Sequence, residues 1–471
     1  RRPSEGGSEM TGEGNRRTRA LADFIANFNW LDLPAEAQTH TLRVVRDGTA
    51  DLLTAADPAY STGRRIASYV EGLGGRPEAS VVGHGFLTDC VSAALANGTM
   101  GYACDVEPFH PAAILHPIAV LVPTALAVGE TVGAAGVDFL GAVALGCEVE
   151  YRVSMAIGPA AQYNLGFHPS AVCGTFGAAA AAAHLLGLNS EATVRALGLA
   201  ACQASGLMAW ESDPTENSRP FQMGLAARGG ITAALLAQKG FGGPDHVFDG
   251  GHTVYRAFGE EGRHEFLTKD LGETWRGILE LAIKPYPCVA FLHPALDALL
   301  GLVGEHDLKC ADIDRLVMNF AKSGVHCIDG NPLKSHCAQY VLPVAVASRE
   351  LRIIDLFEDR RLTDPEIRAL AARTEIVADQ GDLEAIFPDF YAARVEIHTA
   401  DGRRFERRND IARGYPRSPL SEDDLVEKFH RLVGAVARPE RVDALLAAVG
   451  ELARAPNLKR YASLMRAPVG T

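Results

Sequence analysis

Residues 283–297 read IKPYPCVAFLHPALD. Two prolines stiffen the chain directly after Lys284, and His293-Pro294 opens the next helix. The texture of the sequence changes across this stretch. From 19 to 280, apolar residues recur at spacings of three and four, the period of packed helices. Beyond it, 313–320 (IDRLVMNF) alternates as a strand does, 375–378 is a second short strand, and 394–399 and 403–408 flank Ala400-Asp401-Gly402 as a hairpin. Helices intervene at 336–351 and 364–373. A helical pattern then returns, with Ser421 and Asp424 spaced as a capping box. The expected fold class is α+β, mainly α. A polar, Gly-rich tail over 1–18, expected to be disordered, precedes a helical part over 19–280, an α+β part over 281–414 and a second helical part over 415–471.

The 471 residues are 47% hydrophobic, enough for a large core of two or three domains, and only 7% aromatic, which favours close-packed helices over a many-stranded sandwich. The net charge of -13 and the lack of a Lys/Arg run argue against nucleic acid as a partner. An acidic chain binds an acidic ligand only through a local cluster of cations. The nine cysteines are scattered with no CxxC pair and read as reduced thiols of a cytoplasmic protein. The apolar stretches 113–129 and 171–188 are interrupted by His and Pro or diluted by Ala and Gly, so they read as buried helices rather than membrane spans. No phosphate-binding Gly loop, zinc-type His/Cys spacing or GxSxG element is present. Neither a metal nor a cofactor is expected.

Four segments place polar residues beside Gly or Pro within otherwise apolar sequence. The first, 96–117, carries Asp105, Glu107, His110 and His116 through a loop into a helix. There His116 reads either as a functional group or as a helix-entry histidine bonded to backbone, and Asp105 as an acid or a turn brace. The second, 164–177, sets His168 at the start of a Gly/Ala helix, where a carboxylate ligand is physically reasonable. The third, 218–230, has Arg219 and Arg228 flanking a helix start. Both suit bidentate carboxylate recognition, and both also suit an ordinary salt bridge. The fourth is the opening stretch, which puts Lys284 at the boundary between the two parts, a preferred place for a ligand cleft.

In this order the segments resemble the MmgE/PrpD family, which includes 2-methylcitrate dehydratase, cis-aconitate decarboxylase and iminodisuccinate epimerase. The matching text is LANGTMGYACD (95–105) with LHP (115–117), GFHPSAVCGTFGAAAAAAHLLGL (166–188), ALGLAACQASGLM (196–208), RPFQMGLAARGGITAALLAQKGF (219–241), KPYPCVAFLHPALDA (284–298) and AQYVLPVAVA (338–347). The resemblance implies a large helical domain formed by both chain ends, a smaller inserted α+β lid, and a homodimer. It places Asp105, His116, His168 and Lys284 in the active site, with Arg219, Gln222, Arg228 and His293 as substrate-binding candidates. Two departures stand out. The acid loop reads Val106-Glu107-Pro108-Phe109 where the family usually has two adjacent acids, and Arg219 and Gln222 replace a frequent Lys and His.

The implied chemistry is proton transfer at carbon beside a carboxylate of a small di- or tricarboxylic acid. Lys284 and Arg219 are expected to hold carboxylates and developing charge, His116 or His168 to move the proton, and Asp105 to fix a histidine tautomer. A dehydratase or decarboxylase is the first expectation. An epimerase or isomerase of a related dicarboxylate is the second, and a non-catalytic carboxylate-binding dimer the third.

Overall fold

A computed structural model describes residues 16–259, 262–357 and 363–470. Residues 1–15, most of the expected tail, lie outside the described residues. The last residues of that tail are ordered in a helix. α1 (Arg16–Asn27) starts at Arg16, and Thr18 is buried, with its backbone N–H and hydroxyl donating to Asp249 at 2.9 and 2.8 Å.

Among the described residues, nine further α-helices follow up to Gln238. They are α2 (Ala35–Ala55), α3 (Ser61–Leu73), α4 (Cys90–Met100), α5 (Ile118–Val132), α6 (Gly136–Ile157), α7 (Pro159–Asn164), α8 (Pro169–Leu185), α9 (Ser190–Ala201) and α10 (Ser218–Gln238). The two long apolar stretches are the buried α5 and α8. Among the described residues no helix is long and apolar enough to cross a membrane. Small residues let these helices approach closely. Gly98 of α4 faces Gly224 of α10 so tightly that a Cβ at Gly224 would lie 2.3 Å from the Leu95 carbonyl oxygen. α9 is capped by Asn189, whose side chain accepts from Ala192 N–H at 2.9 Å.

After a two-stranded ribbon near the N-terminus (β1, Ala79–Ser80, with β2, Leu87–Thr88), the principal sheet is built from β3 (Ile313–Ala321), β4 (Thr374–Asp379), β5 (Ala393–Thr399) and β6 (Arg404–Asn409). Its order is β4-β3-β5-β6, with β3 and β4 parallel and the other pairs antiparallel. β5 buries alternate residues, Ala393, Val395, Ile397 and Thr399, as a one-faced strand should. The helix His293–His306 packs on this sheet. The later helix begins at Ala338, not 336, which leaves His336 in the turn before it. Ser421 caps Glu422–Val433, with reciprocal bonds to Asp424 at 3.1 and 2.9 Å.

Two large apolar cores result among the described residues, and Phe109, Ala282 and Ala290 form a small third cluster. The first joins the N-terminal helices to the returning C-terminal segment, from Leu420 to Met465. The second takes residues from Tyr286 to Ile397. Ile283 packs in the first core and Tyr286 in the second, so Lys284 stands at the seam between them. The seam is fixed by backbone. Phe109 and Ala282 exchange hydrogen bonds at 3.0 and 2.8 Å, and Ile283 N–H donates to Gly414 at 2.9 Å. Gly414 has φ +88, and a Cβ there would meet the Ile283 carbonyl oxygen at 2.0 Å, so only glycine fits.

Candidate active site

Three stretches far apart in sequence converge on Lys284. The loop leaving α4 turns at Asp105, whose backbone is left-handed (φ +55), a conformation Asp tolerates better than most residues. That turn sends both Asp105 and Glu107 toward Lys284. The ammonium donates to Asp105 Oδ1 at 2.7 Å, to the Asp105 carbonyl at 3.2 Å and to Glu107 Oε1 at 2.8 Å. All three side chains are buried. Burial alone would raise both carboxyls. Lys284 beside them outweighs it, with Arg219 helping at Asp105 and His116 at Glu107, and holds both below the usual range. Burial would lower the lysine, but Asp105 and Glu107 raise it instead. The three groups are therefore charged, and they stabilise one another.

His116 enters from the same loop. Its Nδ1–H donates to Glu107 Oε1 at 2.6 Å, and its backbone N–H to Ser170 Oγ at 3.0 Å. The residue that orients this histidine is Glu107, one of the departures from the family loop, and not Asp105 as expected. With Nδ1 bound, Nε2 carries the lone pair that can accept a proton. The His116 side chain is 19% exposed while Glu107 is fully buried, so the imidazole is the open end of this chain. Its ring lies 4.6 Å from that of Tyr102 and 6.0 Å from that of Phe109. Burial lowers its pKa, and the Glu107 carboxylate opposes that shift.

His168 is the residue before α8. Its Nδ1 lies 2.9 Å from Gln222 Oε1, and the Gln222 amide is itself fixed by donating to the Leu207 carbonyl at 2.9 Å. The amide oxygen therefore accepts from His168, leaving Nε2 unprotonated there as well. Burial lowers its pKa to about 3. Arg219 lies in the first turn of α10, its guanidinium 4.6 Å from the Tyr102 ring and 5.5 Å from the Trp210 ring, with Nη1 3.6 Å from Asp105 Oδ1.

The other two expected binding residues stand apart. Arg219 and Arg228 do not flank a helix start; both lie within α10. Nine residues at 100° each put them on opposite faces, so Arg219 is buried and Arg228 exposed. His293 is fully buried behind Lys284, its Nε2 3.1 Å from the Cys288 carbonyl and its Nδ1 without a partner. His110 is likewise buried, against the Arg276 carbonyl at 3.2 Å. Among the described residues no group of His, Cys, Asp and Glu is arranged to hold a metal ion.

Three residues join the cluster that sequence reasoning passed over. The Arg219 guanidinium lies over the rings of both Tyr102 and Trp210. His336, from the sheet-bearing part, has its ring 6.2 Å from that of Trp210 and Nδ1 2.9 Å from Ser335 Oγ. Burial lowers its pKa to about 4, while Asp105, Arg219, Lys284 and His116 all act on it electrostatically. A histidine just before the helix that carries AQYVLPVAVA was the available signal. The assembled site has two cations, two carboxylates and three neutral imidazoles. It can bind carboxylates, accept a proton at Nε2, and return one.

Comparisons with known proteins give the family. The MmgE/PrpD N-terminal domain model matches residues 19–267 and the C-terminal domain model residues 286–452. A cis-aconitate decarboxylase-like protein, oryM, of Aspergillus oryzae is 26% identical over 467 residues, covering 93% of this chain and 94% of its own. The cis-aconitate decarboxylase of Homo sapiens is 27% identical, covering 80% and 79%. The 2-methylcitrate dehydratase of Cupriavidus necator is 26% identical, covering 58% and 60%. With both domain models matched in order along the body of the chain, this protein belongs to the MmgE/PrpD family.

Proposed function

We propose that this chain is a lyase that decarboxylates a small unsaturated tricarboxylic acid of the cis-aconitate kind. The observation that carries the reading is the chain Lys284–Glu107–His116, which ends in a partly open imidazole beside two buried cations. The long-coverage relatives named as cis-aconitate decarboxylases support the choice of reaction. Arg219 and Lys284 hold carboxylates. As the carbon–carbon bond to one carboxylate breaks, carbon dioxide leaves and the electron pair spreads into the adjacent unsaturated carboxylate, where the cations offset its charge. A histidine that has taken a proton then delivers it to carbon. The sum is one substrate plus one proton giving one product plus carbon dioxide.

Dehydration is the second reading, favoured by the 2-methylcitrate dehydratase relative and by the presence of more than one histidine. One imidazole would remove the proton and another protonate the departing hydroxyl. An NMR screen in deuterium oxide of citrate, 2-methylcitrate, cis-aconitate and imino-dicarboxylates separates the possibilities. Carbon dioxide release with one deuterium in the product supports decarboxylation, and water loss supports dehydration. Deuterium wash-in without net loss identifies an epimerase. Tight binding without turnover on any acid leaves the non-catalytic reading.

A homodimer is part of the same proposal. Leu165, Leu207 and Phe221 are 60%, 55% and 40% exposed. They adjoin one another, since Met208 N–H donates to the Gly166 carbonyl and Gln222 to that of Leu207. An apolar patch of this kind suits a second copy. Light scattering of the parent and of Leu207→Glu tests it, with loss of the dimer expected in the variant.

A further inference from the structure

We propose that Lys428, on the returning C-terminal helix, is a positioning residue that holds the 105–107 loop in register with Lys284. The inference rests on the proton-transfer reading above. The helix Glu422–Val433 packs on α2, and Lys428 is buried, with 3% of its side chain exposed. Its ammonium lies 2.7 Å from Asp47 Oδ1 of α2 and donates to the Val106 carbonyl at 3.0 Å. Val106 is the residue between Asp105 and Glu107, the two carboxylates that Lys284 joins. Three residues further along the same helix, Arg431 donates to the Pro285 carbonyl at 3.3 Å, next to Lys284 itself. One helix edge, at i and i+3, therefore grips the backbone beside both halves of the Lys284 cluster.

The loop needs such a hold. Asp105 sits in the left-handed region, a sparsely populated conformation for a residue with a side chain, and persists only where its surroundings fix it. Lys284 draws the two carboxylates forward, while Lys428 holds the peptide between them from behind. Asp51, one turn beyond Asp47 on α2, is buried at the same place, with Oδ1 lacking a partner. Burial first, then Glu107 and Asp47, push its carboxyl up. Burial also raises Asp47 and lowers Lys428, and each of that pair opposes the shift of the other.

A purely structural ion pair can be replaced by apolar groups of the same shape with little effect. Lys428→Met combined with Asp47→Leu makes that replacement while removing the donor to Val106. If Lys428 positions the loop, the folded variant shows two changes. The His116 titration, read from carbon-13-labelled histidine spectra, moves down by at least about half a pH unit as Glu107 drifts from Nδ1. Turnover falls at least about tenfold, with KM within about threefold. A folded variant whose His116 titration and turnover match the parent overturns the proposal. Should the double variant fail to fold, Lys428→Gln, which removes the charge and shortens the reach toward Asp47 and Val106, is judged by the same two readouts. If the parent turns over no polycarboxylate, the proposed function fails, and the His116 titration alone still decides the role of Lys428.

Discussion

The Glu107 carboxylate and the His116 ring share a 2.6 Å hydrogen bond, and the same Glu107 oxygen accepts from Lys284 at 2.8 Å. The carboxylate thus fixes the His116 tautomer and stabilises the imidazolium that forms when Nε2 takes a proton. Glu107→Gln keeps an acceptor oxygen but removes the charge. Turnover should fall about 10- to 100-fold. Burial already lowers the His116 pKa and Glu107 opposes it, so without the carboxylate the pKa drops further. A histidine that delivers a proton must carry it, so the alkaline limb of the kcat/KM profile should move to lower pH. A limb that stays in place excludes His116 as the proton donor.

Lys284 is the group that lets two buried carboxylates stay ionised side by side. Lys284→Met should cost about 3–5 kcal/mol of stability near neutral pH, because it leaves unpaired buried charge. The sign of the pH dependence follows from the shifts. Asp105 and Glu107 are held below their ordinary values of 3.8 and 4.5. Their contribution in the parent is therefore complete above those values and is lost as pH falls through the depressed ones. In the variant, burial and mutual repulsion raise both carboxyls, and protonation relieves the strain. The stability gap in urea titrations should be widest near neutral pH and shrink toward about pH 5. A gap that does not vary with pH contradicts ionised carboxylates at this site.

Much of this arrangement was legible before the fold was known. The change of texture around 283–297 marks the seam where Ile283 and Tyr286 part into different cores, and Lys284 is at that seam. Asp105, His116 and His168 stand out because each is a polar residue in a loop entering an apolar helix. Other features were hidden by three-dimensional distance. His336 lies 231 positions after Asp105, and no local pattern links them. Tyr102 and Trp210 read as ordinary aromatics until Arg219 is seen over them. Arg228 was misplaced for a simpler reason: the helix begins at Ser218, before both arginines, and the helical angle then turns it away from Arg219. The role of Glu107 was also concealed, since only the folded loop shows that it, and not Asp105, faces the histidine.

The resting cluster is electrically balanced. Asp105 and Glu107 offset Lys284 and Arg219, and the three histidines are uncharged, His168 and His336 having pKa values of about 3 and 4. A polycarboxylate arriving at such a site brings more negative charge than Lys284 and Arg219, already shared with Asp105 and Glu107, can offset. The nearby imidazoles should therefore gain protons as it binds, which also supplies the proton that decarboxylation consumes. Calorimetry in buffers of different ionisation enthalpy should detect uptake of about one proton per site near neutral pH. Affinity should weaken as pH rises. Binding with no proton uptake on either side of neutrality would falsify this electrostatic picture.

Arg219 keeps its charge beside Tyr102 and Trp210, and there its flat guanidinium matters more than the charge alone. Its guanidinium carbon lies over both rings, at 4.6 and 5.5 Å, while Nη1 stays 3.6 Å from Asp105. An ammonium has no flat face to stack and no fork for a carboxylate. Arg219→Lys therefore preserves the charge balance but loosens the ligand. Desolvated cation–π contacts contribute about 1–2 kcal/mol, so KM for the preferred acid should rise about five- to thirtyfold. Because Arg219 binds rather than transfers the proton, kcat should stay within about threefold and the pH limbs should not move. Trp210 also neighbours His336, so the same variant should change the ranking among acids of different length more than the rate on any one of them. A large fall in kcat at unchanged KM would instead show that the developing charge needs the guanidinium itself and not only a cation.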